Sequence, residues 1–114
     1  MENKVLEYIN IWNESQPEHK GVRIMPLVYE SDIYKLEIRF PGTAYECVKS
    51  SFSKMEAVLL RNSGGVLYMV SSWEDFRHGI LSLNVAFCNN AYISTKVVAT
   101  LNILMTEIIP SLKK

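Results

Sequence analysis

The residues whose types could do chemistry gather in one short stretch, Trp73-Glu-Asp-Phe-Arg-His78. Asp75 and His78 stand three apart, a spacing at which a carboxylate can orient an imidazole for proton transfer. Nothing beside them reads as a nucleophile or an oxyanion donor, so the pair names no reaction. Cys88 with His78 would make a thiol–imidazole couple, but they lie at opposite ends of one expected strand, about 33 Å apart at strand rise. His19 and His78 each sit alone in a polar linker, where a solvated imidazole is the ordinary state.

Metal, redox and phosphate chemistry find no better footing. Cys47 and Cys88 match no metal or redox spacing and read as free thiols of a reducing compartment. Gly64-Gly65 precedes a strand instead of following one, and no lysine stands beside it, so it is not a phosphate loop. No His-Glu-x-x-His helix or zinc spacing occurs. The expectation is a chain with no catalytic residue, no cofactor and no metal. The same stretch has another reading, however. Trp73, Glu74, Asp75, Phe76 and Arg77 combine two aromatics, two acids and an arginine, the mixture found at the centre of protein interfaces. The plainer account is that Trp73 closes the core at a strand end while the acids solubilise a turn.

The elements that must position these residues follow from periodicity. A first helix is expected from Glu2 to Ser15, with Val5, Ile9 and Trp12 in line and Tyr8 beside them. Pro17 stops it. Val22 to Tyr29 reads as a strand apolar on both faces, and Pro26 makes it an edge strand or a bulged one. Glu30-Ser-Asp is a turn. In the next strand Tyr34, Leu36, Ile38 and Phe40 should face inward and Lys35, Glu37 and Arg39 face water. Thr43-Ala-Tyr-Glu46 has the spacing of a capping box. Behind it a second helix carries Ala44, Val48, Phe52, Met55 and Leu59 on one face, and Asn62-Ser-Gly-Gly closes it. The rival is a helix broken near Ser53 with a strand from Glu56. Val66 to Trp73 reads as a central strand, Glu74 to Gly79 as a loop, and Ile80 to Cys88 as a fourth strand with Leu81, Leu83, Val85 and Phe87 toward the core. Asn89-Asn90 caps a last helix. The fold class is therefore α+β, a four-stranded, mostly antiparallel sheet in the order α-β-β-α-β-β-α.

The last helix, Ala91 to about Ile109, has the most unusual pattern. Ile93, Val97, Val98, Leu101, Leu104, Met105, Ile108 and Ile109 fill an arc of roughly 160°, wider than a surface helix needs. Its other side is polar but hardly charged: Thr95, Lys96, Thr100, Asn102, Thr106 and Glu107, with Ala99 and Ile103 among them. Such a helix is either sunk in its own fold or shared with a second copy. The second option predicts a homodimer with Lys96, Ala99, Ile103 and Thr106 at the contact.

Composition bounds what all this can be. With 114 residues, 48% of them apolar, there is room for one domain over residues 1–114 with a real core. Twelve basic and twelve acidic residues cancel, so the basic footprint of a nucleic-acid binder is missing. An acidic start argues against a signal peptide. The last helix is too interrupted by polar groups to span a membrane, and a cytoplasmic site is expected. In element order alone, with no motif carrying it, the chain looks similar to type III secretion chaperones and roadblock-type adaptors, two groups of small dimeric proteins. Two function classes follow. One is a non-catalytic, self-associating protein-binding module of inhibitor, immunity-protein, antitoxin, chaperone or adaptor type. The other is a small-ligand-binding domain, or an enzyme whose site forms at a dimer interface.

Overall fold

Pro17 and Pro26 punctuate the first third of the chain as expected, and the elements between them form the first edge of a sheet. A computed structural model describes residues 4–17, 21–30, 32–40, 52–71, 73–85 and 91–112. Helix α1 is Lys4–Ser15, strand β1 Arg23–Tyr29, β2 Asp32–Arg39, helix α2 Phe52–Ser63 and β3 Leu67–Met69. A five-residue helix α3, Trp73–Arg77, leads into β4, Ile80–Val85, and α4 spans Ala91–Ile103. The long elements run α-β-β-α-β-β-α around an antiparallel sheet of order β1-β2-β4-β3.

One face of that sheet is dry. Ile24, Leu36, Ile38, Leu67, Leu81 and Leu83 are buried there beneath Val5 and Ile9 of α1, Met55 and Leu59 of α2, and Val97 and Leu101 of α4. Helix α4 lies between α1 and α2. Its broad apolar arc is thus covered within the chain, and Val97, Leu101, Leu104, Met105, Ile108 and Ile109 are all buried. Thr100, expected on the polar side, is fully buried instead. Its hydroxyl donates to the Lys96 carbonyl at 2.7 Å, and a threonine satisfied by its own helix can enter a core at small cost.

The end of this helix departs from α geometry before the proline. Pro110 has no amide to give, and its ring collides with the carbonyl four residues back, that of Thr106. The backbone widens into a π turn over Leu104–Ile108, where the Ile109 amide donates to Leu104, then tightens to a 3-10 turn over Ile109–Leu112. Widening keeps four apolar residues, Leu104, Met105, Ile108 and Ile109, on the buried side.

Four further sequence expectations need correction. Tyr34 does not face inward. The register slips between Leu27 and Val28, which pair with Lys35 and Ile33, leaving Tyr34 as the extra residue of a bulge. Ile33 takes the core position and Tyr34 is exposed. The strand at Val66 to Trp73 shrinks to Leu67–Met69 and is an edge, whereas β4 holds the centre. Apolar residues on both sides do not make a strand central, because Tyr68 and Val70 simply stay exposed. The loop from Glu74 contains α3, whose acids Glu74 and Asp75 in the first turn and Arg77 in the last complement the helix dipole. Finally, α-helical geometry ends at Ile103, before the π turn.

Other expectations hold. Helix α2 is unbroken through Glu56, so the rival strand is not formed. Gly64 and Gly65 close it at φ +63° and +93°, with the Gly64 amide donating to Leu60 at 3.0 Å. Thr43 to Glu46, Ala44, Cys47, Val48, Phe87 and Cys88 lie outside the described residues.

Candidate functional site

Alternation along the strands sends every second side chain to the face opposite the helices. The registers arrange these in rows: Arg23, Arg39 and Ile80; then Met25, Glu37 and Ser82; then Leu27, Lys35, Asn84 and Tyr68. Tyr34 joins them at the bulge. Met25, Tyr29, Tyr34 and Tyr68 keep 46%, 68%, 45% and 50% of their surface in solvent. Polar contacts tie the face together without covering it. Arg39 donates to the Glu37 carboxylate at 2.8 Å, and Asn84 Nδ2 to the Tyr68 hydroxyl at 3.3 Å. Arg23, Lys35 and Arg39 outnumber Glu37 and Asp32, the partner of Tyr29, so the β1–β2 half of this face keeps a slight basic excess.

Helix α3 abuts the β4 side of the same face. Ser82 is fully buried there; its amide donates to Ser71 Oγ at 2.7 Å and its hydroxyl to the Asp75 carboxylate at 3.3 Å. Gly79 joins helix to strand at φ +70°. A Cβ at Gly79 would come within 2.8 Å of the Phe40 carbonyl oxygen, and its own carbonyl accepts from the Phe40 amide at 2.7 Å. Trp73, Glu74, Asp75, Phe76 and Arg77 are thus set beside the open face by backbone contacts. Glu74 and Arg77 are exposed and Asp75 is half-buried.

The proton-transfer pair is not assembled. The His78 ring donates from Nδ1 to the Glu74 carbonyl oxygen at 2.8 Å, while the Asp75 carboxylate is turned to Ser82. A carbonyl oxygen can only accept, so Nδ1 carries the proton. Among the described residues no three His, Cys, Asp or Glu side chains could hold a metal ion together. No helix of the described residues is long and apolar enough to cross a membrane. Burial raises the Tyr8 phenol above its ordinary pKa, and its hydroxyl donates to Asn102 Oδ1 at 3.4 Å.

Of the four residues expected at a dimer contact, Ala99 and Thr106 are exposed and Lys96 and Ile103 half-buried. They share one strip of α4 with Tyr92, whose ring lies 5.2 Å from the Lys96 ammonium. Of the residues named from sequence for the two surfaces, Glu74 and Arg77 in one and Ala99 and Thr106 in the other are accessible. The open sheet face is a further accessible surface, and sequence reasoning missed it. Its signal was the doubly apolar pattern of Val22 to Tyr29, an edge strand with no second layer among the described residues to receive Met25, Leu27 and Tyr29.

The free edge of β1 is closed. Asn13 Nδ2 donates to the Ile24 carbonyl at 2.8 Å while Asn13 Oδ1 accepts from the Ile24 amide at 2.9 Å. Trp12 Nε1 donates to the Val22 carbonyl at 2.8 Å. With Pro26 further along, this stretch of the edge offers no continuous ladder for an incoming strand. No protein-family model matches the chain, and no curated protein or solved structure matches it either.

Proposed function

We propose that this protein is a non-catalytic cytoplasmic protein-binding module, of the inhibitor, immunity-protein, antitoxin, chaperone or adaptor type, whose contact surface is the open face of the sheet. The observation that carries the reading is the exposure of Met25, Tyr29, Tyr34 and Tyr68 on one face. Tyrosine, methionine and arginine are the types enriched where proteins meet. Arg23, Lys35 and Arg39 outnumber Glu37 and Asp32 on this face, which favours a partner with an acidic patch, since complementary charge sets orientation and association rate. Helix α3 would extend the contact through Trp73 to Arg77.

Affinity capture from the native host, read by mass spectrometry, tests this with a paired Tyr34→Asp/Tyr68→Asp variant. Both side chains are exposed, so the variant should melt within a few degrees of the wild type and lose the captured protein. Equal capture by wild type and variant would reject the sheet face as the contact surface. The alternative, a small-ligand domain, has one observation in its favour: a cleft at the end of the sheet where β1 begins and β2 ends.

A further inference from the structure

We infer that this cleft, flanked by Arg23 and Arg39, binds a small oxyanion, either a phosphate monoester or a polycarboxylate. Arg23 and Arg39 are direct cross-strand partners. Like charges in that position repel, and a planar guanidinium on each side offers two forks suited to one oxyanion. The cleft between them has a volume of about 320 Å³, within the lower range of small-molecule sites.

Among the described residues no acidic side chain lines it. Glu37, the carboxylate bonded to Arg39 at 2.8 Å, stands outside the lining and engages one guanidinium. Arg23 has a carbonyl contact, with Asn13 at 3.5 Å, and no carboxylate partner among the described residues. Met25 and Phe40 supply apolar wall, and Gly21 also lines the cleft. Asn13 also lines the cleft, but its amide is committed on both sides to Ile24, so it shapes the site and leaves charge recognition to the arginines. A bound dianion would turn the opposed arginines from a repulsive pair into a bridged one. The cleft shares Arg23, Met25 and Arg39 with the sheet face proposed to meet an acidic partner, so a bound oxyanion would compete with that partner, yet its titration reads the cleft without it.

The test is a titration of isotope-labelled full chain with inorganic phosphate, citrate and, as control, chloride at matched ionic strength. Saturable amide shifts at Gly21, Arg23, Arg39 and Phe40 are expected with phosphate or citrate and not with chloride. Saturation by phosphate alone would assign a phosphoryl ligand, and saturation by citrate alone a carboxylate ligand. Arg23→Gln should weaken binding roughly tenfold or more while its melting temperature holds or rises, because the repulsion across β1 and β2 is relieved. A merely structural arginine would give the opposite pattern. Shifts that never saturate, or undiminished binding by Arg23→Gln, would overturn the assignment. If Arg23→Gln does not fold, Arg39→Gln reads the same loss.

Discussion

Ser63 joins a helix end to a strand start with a single hydroxyl. It is buried and donates to the Leu59 carbonyl at 2.6 Å, while accepting from the Leu67 amide at 3.1 Å. Without it, that amide would be left unpaired beneath α2, and an unmet buried donor costs about 1–3 kcal/mol. Ser63→Ala should lower the unfolding free energy by that amount in a urea titration, with an unchanged slope. A midpoint equal to that of the wild type would mean that water or a backbone shift meets the donor. Tyr34 illustrates the same scale from the other side. Its sequence position fits the inward alternation, yet one bulge moves it to the surface and puts Ile33 in its place.

Helix α4 is the element on which the sequence pattern and the fold meet most closely. Packed between α1 and α2, it has most of its wide arc buried inside the chain, with Ile93 and Val98 half-buried. What remains for a second copy is the narrower strip of Tyr92, Lys96, Ala99, Ile103 and Thr106. Self-association through that strip is still a proposal, and Ile103→Lys examines it. Near a twofold axis the substitution would bring two like charges together. Dimerisation requires the wild type to sediment at twice the monomer mass and the folded variant at the monomer mass. A wild type that stays monomeric at micromolar concentration rejects it.

At the scale of the molecule, the sheet is asymmetric in its protection. Strands β2 and β4 are paired on both sides, whereas β1 and β3 are edges. Native-state hydrogen exchange should find the slowest sheet amides in β2 and β4. The Ile24 amide should be slow too, despite its place on the free edge, because Asn13 accepts from it. Asn13→Ala should speed exchange at Ile24 well beyond its effect on β4; equal rates would show that the clamp does not protect the edge.

Local pattern was enough to determine the class and order of the elements. The 3.6-residue period of Val5, Ile9 and Trp12, the alternation around Leu36 and Ile38, and the glycine closure after Ser63 each depend on chain neighbours alone. The arginine cleft and the open face were not legible in that way. That Arg23 stands opposite Arg39, that β4 separates β2 from β3, and that Met25, Tyr34 and Tyr68 share a surface are facts of strand register and order. Periodicity tells which side of its own strand a residue occupies. Only the tertiary structure decides what lies on that side, because pairing joins residues distant in sequence and the three long helices settle on a single face of the sheet.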